Sequence, residues 1–372
     1  MAARHSAAPE AEAPRRARKK KKSVGALILQ DLLLTGVILC VFALFHHVLP
    51  RLNAARSETP APVAVRPAAP QETPVQPADP AAPDGPAGSA EPQPTPEPTP
   101  DPMDWRSKFA DHFTDEIVQT ENSYTSPNIA VTIEKVTLSD AYTSVCYVAD
   151  IYVAQLDCFQ TYWANGRYSY YGYQSPLGLA GDSGGLLTIN GDYADNQQSG
   201  FLVRNGELYY SDPTSCDICV LYYDGTMETY DGGQYSVDEI LAREPYQSWK
   251  FGPALLNSDG SAKSSFNTSD TIAWEPAPRS ALGYYEPGHY CFVIVDGRQS
   301  FSRGLTIREL ANFFADLGCK AAYNMDGGAS AVMTFDQRIF NSPSNGGRDS
   351  GDILLIRELP GVTDETGEEA EP

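Results

Sequence analysis

The chain has 372 residues, a formal net charge of −21 and seven cysteines, a length that allows one large domain or two small ones. Charge is unevenly spread: residues 1–22 carry eight Lys/Arg against two Glu, so the remainder is more acidic than the whole. An acidic body of this kind disfavours nucleic acid and anionic membrane surfaces as partners.

After the basic tail (1–22), Val24–Leu49 is mostly apolar, interrupted by Gln30, Asp31, Thr35, His46 and His47. It exceeds the ~20 residues a helix needs to cross hydrocarbon, so 23–49 is expected to be a transmembrane signal anchor. The basic residues before it predict a cytoplasmic N-terminus and an extracytoplasmic C-terminal domain on a single-pass cell-membrane protein. A cleaved signal peptide fits less well, because Leu49-Pro50-Arg51 lacks a small-x-small site. Residues 50–104 are rich in Pro, Ala, Glu, Thr and Gln. Such a composition buries no core and favours extended polyproline-II geometry, which predicts a disordered, semi-stiff linker. The folded domain is expected over 105–360, followed by an acidic disordered tail over 361–372.

Within the domain, Trp105, Phe109, Phe113 and Ile117 give a weak helical pattern. Ile129–Thr137 and Val145–Leu156 alternate as an antiparallel pair around Leu138–Thr143. Gly166–Tyr173 is a loop containing four tyrosines, either packing against the core or stacking on sugar rings. Leu186–Ile189 is a strand. Asn205-Gly206 and Asp224-Gly225 each mark a hairpin turn. Ser236 and Glu239 have capping-box spacing for a short helix. Arg338–Phe340 and Ile353–Ile356 read as closing strands.

The densest signal lies between Tyr290 and Phe335. Tyr290–Val295 is an apolar, β-branched and aromatic run that ends in Asp296-Gly297. Thr306 and Glu309 form a capping box ahead of Ile307, Leu310, Ala311, Phe314 and Leu317 at helical spacing, with Gly318 as the stop. Cys319–Met325 then ends in Asp326-Gly327-Gly328. A strand–helix–strand unit of this kind predicts two parallel strands with a right-handed crossover, and puts Asp296 and Asp326 on one sheet edge with Arg298 and Asn324. Against this stands the bland alternative that both Asp-Gly pairs are turns.

Six cysteines fall in the domain: Cys146, Cys158, Cys216, Cys219, Cys291 and Cys319. The Cys216–Cys219 spacing has no second pair to complete a zinc site, so a local disulfide or plain thiols are expected. Gly181–Gly185 (GDSGG) spells a serine-protease loop, yet the domain lacks a matching His context, and these residues read as a turn before a strand.

DGR at 296–298, GLTIRELANFF from Gly304 and LGCKAAYNMDGGASAVM from Leu317 together resemble the phosphodiester glycosidase family, whose bacterial members are often labelled exopolysaccharide biosynthesis proteins. INGDY (189–193), FGPALL (251–256), PRSALG (278–283) and NSPSNGGRDSGDILLI from Asn341 extend the resemblance over about Ile129–Glu358. Ala329 departs from the family's usual third glycine. The resemblance implies a hydrolase acting on sugar-1-phosphodiester bonds of a surface glycan or its precursor. It implies Asp326 and Asp296 as catalytic carboxylates, with Asp326 first. Arg279, Arg298 and Arg348 are implied for phosphate, with Arg279 as principal clamp. Asn190, Asp192, Asn324, Gly327, Gly328 and Ser330 are implied to contact substrate. No cofactor is called for, and metal assistance stays open. The alternative is a non-catalytic glycan- or phosphate-binding envelope protein. The expected fold is α+β (mixed α/β): mainly β sheet with the parallel strand–helix–strand unit, preceded by one transmembrane helix and the disordered linker.

Overall fold

The computed structural model describes residue 35 and residues 62–65, 104–139, 142–169, 172–194, 199–268 and 271–359. The chain divides into two units, Met1–Ser57 and Glu58–Pro372, and the architecture below belongs to the second. The 23–49 stretch lies outside the described residues except for one position, as does the 361–372 tail. Among the described residues no helix is long and apolar enough to cross a membrane, so the expected transmembrane helix has no counterpart among them.

Sheet dominates. Seven strands run in the order β15 (Ala321–Asn324), β13 (Arg279–Glu286), β14 (His289–Val295), β5 (Thr143–Val153), β4 (Ile129–Ser139), β3 (Ser123–Thr125) and β2 (Val118–Gln119). Five more run β17 (Arg338–Ile339), β16 (Met333–Phe335), β7 (Leu187–Asn190), β18 (Asp352–Ile356) and β6 (Phe159–Trp163). Two three-stranded sheets complete the set among the described residues: β11 (Met227–Tyr230), β10 (Ile218–Tyr222), β12 (Pro245–Trp249), and β1 (Val63–Ala64), β9 (Glu207–Ser211), β8 (Phe201–Arg204). The helices are short: α1 (Trp105–Lys108), α2 (Pro176–Ser183), α3 (Val237–Leu241) and α4 (Ile307–Asp316). The pair 63–64, inside the stretch expected to be a disordered linker, adds to the edge of β9.

Every strand pairing among the described residues is antiparallel, which overturns the parallel strand–helix–strand unit. The reason is β13. The Pro287-Gly288 turn folds Arg279–Glu286 back on β14 as a hairpin, and β15 then pairs with the far side of β13. The segment through α4 therefore returns to an antiparallel neighbour, and β14 and β15 never bond to each other. Both strands still run in the same sense, because each is antiparallel to β13, with Arg279 opposite Val295 and Ala281 opposite Asn324. Asp296 and Asp326 accordingly follow at the end where β13 begins.

β14 is buried on both faces. Tyr290, Phe292 and Ile294 join a core shared with Leu187 and Ile189 of β7 and Leu354 and Ile356 of β18. Cys291, Val293 and Val295 face α4, packed with Ile307, Leu310, Ala311 and Phe314. Each such side chain contributes about 1.5–3 kcal/mol of burial. The helix is fixed at its start by the reciprocal Thr306–Glu309 box, with bonds of 3.2 and 2.8 Å. Space under it is tight: a Cβ on Gly283 would sit 2.7 Å from the Cys291 sulfur, 2.8 Å from the Cys319 sulfur and 2.8 Å from Phe314. Gly283→Ala should therefore cost about 1–3 kcal/mol through overpacking, read as a lowered midpoint in urea unfolding with an unchanged slope.

The other expected elements fall as follows. The β4–β5 hairpin forms around the residue 138–143 region. Asn205 and Gly206 take φ of 50° and 76° in the β8–β9 turn, the left-handed pair that a tight hairpin needs. Gly181–Gly185 is not a loop: Gly181–Ser183 close α2, and Gly184 ends it in a left-handed cap. The weak helical pattern over Asp104–Thr120 shrinks to α1 and one 3-10 turn. Tyr170 and Tyr171 lie outside the described residues.

Candidate active site

Asp326 leaves β15 into a turn whose shape is set by two glycines. The amide of Gly328 donates to the Pro278 carbonyl at 3.0 Å. A Cβ on Gly327 would lie 2.8 Å from that same oxygen, so the loop can lie against the start of β13 only with glycine there. Gly328 has φ of +65°, the left-handed region. Ala329 sits in the 3-10 turn Gly328–Ser330 without positive φ, so its methyl adds no backbone strain.

The Asp326 carboxylate accepts from Nη2 of Arg348 at 2.6 Å. Nε of Arg348 also donates to Oγ of the buried Ser330 at 2.8 Å. The Arg348 guanidinium lies 5.7 Å from the Tyr193 ring centre. Burial pushes the Asp326 carboxyl above its ordinary value, partly offset by Ser330 and Arg348. Asn190, at the end of β7, anchors the turn from the second sheet by donating to the Asp326 carbonyl at 2.7 Å. A carboxylate held between a cation and a hydroxyl, with its proton affinity raised, has the make-up of an acid–base group.

The three arginines expected at phosphate divide their roles. Arg279 is buried, and its guanidinium donates to the carbonyls of Leu305 at 2.9 Å, Ala273 at 3.1 Å and Glu275 at 2.9 Å. It pins the loop ahead of β13, so the principal clamp role implied for it meets a side chain already engaged by backbone. Arg298 is the reverse case. It is exposed, at φ of +57°, and its Nη1 lies 3.3 Å from where a Gly328 Cβ would stand. Among the described residues its guanidinium makes no hydrogen bond or ion pair, which leaves it available to an anion at the Gly327-Gly328 turn. Arg279→Lys should thus lower stability by about 1.5–3 kcal/mol, the scale of charged hydrogen bonds. Arg298→Ala should instead raise KM about tenfold with the melting temperature unchanged. Thermal melts and initial rates on the same preparations separate the two.

Asp296 is buried rather than at the rim. It accepts from Nδ2 of Asn341 at 2.9 Å and from the Ser342 amide at 3.1 Å, with the Tyr147 hydroxyl a further donor. Burial raises its carboxyl too, but these partners tie β14 to the 341–342 segment. Asn324 donates to the Gly252 carbonyl at 2.8 Å and holds the FGPALL segment. The Oδ1 atoms of Asn324 and Asn190 are buried without a hydrogen-bond partner among the described residues.

Asp192 is fully buried and accepts from Nη2 of Arg204 at 2.6 Å and from the Lys250 amide at 2.6 Å. Arg204 also bonds Asp352 at 3.1 Å. This carboxylate–guanidinium–carboxylate cluster holds the Asn190-Gly191 turn, where a Gly191 Cβ would collide with Asp352 at 1.9 Å. Arg204, Asp352 and Tyr193 were absent from the sequence-derived set. A charged residue ending the otherwise apolar Phe201–Val203 run, and one opening Ile353–Ile356, were the available signals. Among the described residues no group of three His, Cys, Asp or Glu is placed to hold a metal ion.

Residues 183–357 match the phosphodiester glycosidase family. An uncharacterized protein, YomE, derived from the SPbeta prophage of Bacillus subtilis (strain 168), is 27% identical over 183 residues, covering 46% of this chain and 28% of its own length. The chain thus spans less than a third of that relative. Among solved structures, the zebrafish N-acetylglucosamine-1-phosphodiester alpha-N-acetylglucosaminidase catalytic domain, auto-inhibited by its pro-peptide, aligns with a TM-score of 0.52 at 21% identity, over 63% of this chain and 85% of that one. At that identity the likeness is one of fold. The family match runs through residues 183–357, with the Asp326 turn inside it, so this part of the chain is similar to the phosphodiester glycosidase family.

Proposed function

We propose that the protein hydrolyses the bond between a sugar's anomeric carbon and a phosphodiester, in a surface glycan or its precursor. The observation that carries this reading is Asp326: a carboxyl raised by burial, bonded to Arg348 and Ser330, on a two-glycine turn beside the uncommitted guanidinium of Arg298. The group that leaves is a phosphate monoester, which is weakly basic, so the reaction needs little general-acid help, unlike ordinary glycoside hydrolysis. It needs cations where the phosphate departs, and guanidinium binds phosphate in a bidentate manner. It needs a carboxylate to activate water or to stabilise positive charge developing on the sugar ring. Arg298 and Arg348 supply the first and Asp326 the second.

The zebrafish enzyme acts, by its name, on an N-acetylglucosamine-1-phosphodiester, which makes N-acetylglucosamine 1-(methyl phosphate) a reasonable first substrate. Purified protein should release free sugar from it, and Arg298→Ala should do so with raised KM. Binding without release would favour the non-catalytic glycan- or phosphate-binding alternative. An extracytoplasmic site of action is part of the proposal, supported by the basic residues that precede an apolar stretch in the sequence. Protease added to intact cells should then degrade the 105–360 region, and protection of that region would contradict the placement.

A further inference from the structure

We propose that a second cleft, beside the Asp326 site, binds a neighbouring sugar ring of an extended glycan phosphodiester, so that the enzyme favours polymeric over monomeric substrates. This rests on the catalytic reading above and names the substrate class it implies. The cleft measures ≈ 540 Å³ and is lined by Trp163, Tyr168 and Tyr209 together with Tyr162, Arg167 and Glu207, a size within the range of small-ligand sites. Trp163, Tyr168 and Tyr209 form one aromatic cluster, with ring centres 5.0–5.7 Å apart. Nε1 of Trp163 donates to the Tyr209 hydroxyl at 3.3 Å, and that hydroxyl donates to Oε2 of Glu207 at 3.1 Å. The ring positions are therefore set in advance, and Oε1 of the exposed Glu207 stays open as an acceptor. Arg167 is exposed and makes no hydrogen bond or ion pair among the described residues. Trp163 and Tyr168 are buried and back the cleft, so the half-buried Tyr209 and Tyr162, with the Glu207 carboxylate and the Arg167 guanidinium, are the groups that suit a pyranose ring carrying hydroxyls and a flanking phosphate.

The cleft is coupled to the active site by construction. Trp163 is paired with Asp352 across β6 and β18, and Asn190 with Ile353 across β7 and β18. Trp163 and Asn190 thus flank one end of the same strand, two strand spacings or ~10 Å apart. Arg204 lines the cleft, stacks at 5.3 Å over Trp163 and bonds Asp192. In the turn that follows, Tyr193 faces Arg348 while Ala194 packs with Trp163 and Tyr168. The ~10 Å between Trp163 and Asn190, whose side chain bonds the Asp326 carbonyl, is on the order of one sugar unit and its phosphate, which puts the cleft within range of the unit next to the scissile linkage. Binding energy gathered there, away from the reacting bond, can be used to orient the scissile linkage.

The test uses the full-length protein carrying Asp326→Asn, to prevent turnover, titrated by calorimetry with two probes. One is N-acetylglucosamine 1-(methyl phosphate), and the other is a trimer of N-acetylglucosamine joined through 1-phosphodiesters. The trimer should bind about tenfold more tightly, the scale of one aromatic and one charged contact. Arg167→Ala, at the surface, and Tyr209→Ala should each remove most of that advantage and leave the methyl ester unaffected. Equal affinity for the two probes, or a trimer advantage that survives Arg167→Ala in a folded protein, would overturn the proposal. Because binding is read without turnover, failure of the catalytic reading shows separately, as wild-type protein that releases sugar from neither probe.

Discussion

Asp326→Asn is expected to lower turnover by about 10²-fold or more while substrate binding is largely kept, the usual scale for a positioned acid–base group. The substitution preserves shape and can still accept from Arg348, so loss of rate would report loss of the ionisable carboxylate. The pH dependence follows from the same group. Burial raises Asp326 above its ordinary value, so the acidic limb of kcat/KM should stand above that of an unperturbed aspartate, with activity rising as the proton leaves. Arg348 acts in the opposite direction and lowers it. Arg348→Gln should therefore move the limb to higher pH, as well as weaken phosphate binding. For stability the sign is reversed. The folded protein holds this proton to a higher pH than the unfolded chain, so Asp326 makes stability fall as pH rises from the unfolded carboxyl value through the folded one.

The second large effect is structural. Arg204→Met should destabilise the fold by about 3–5 kcal/mol, because it strips the shared cation from two buried carboxylates. Asp192 and Asp352 are fully buried, and both bond the same guanidinium nitrogen. Adding Asp192→Asn and Asp352→Asn to that variant should recover part of the loss, since the uncompensated charges go with them. Urea unfolding of the single and triple variants measures both. A single variant as stable as wild type would mean that the cluster carries little of the fold's stability.

Local signals were legible in the chain where the physics is local. The capping box at Thr306, the stop at Gly318 and the Asn205-Gly206 hairpin each form as their residues dictate. The apolar Tyr290–Val295 run is the two-face-buried centre of its sheet. What failed was pairing partner and side-chain company. Arg279–Glu286 carried too few apolar side chains to declare itself the strand between β14 and β15, so the unit read as parallel. Sequence also cannot show which arginine the backbone has already taken. Arg279 spends its donors on three carbonyls while Arg298, in a left-handed turn, keeps its own. Asp296 follows the same logic: its Asp-Gly context matched that of Asp326, but Asn341 and Ser342 close over it from 45 residues downstream and beyond. In the Asp192–Arg204–Asp352 cluster Arg204 bonds a carboxylate 148 positions away, a distance over which periodicity carries no information.

Hydrolysis of a sugar-1-phosphodiester in water enriched in oxygen-18 tests the central claim most directly. If Asp326 serves attack at the anomeric carbon, the label must appear in the released sugar and the phosphate must leave unlabelled. Label in the phosphate instead would mean cleavage at phosphorus, a phosphodiesterase, and would contradict the account.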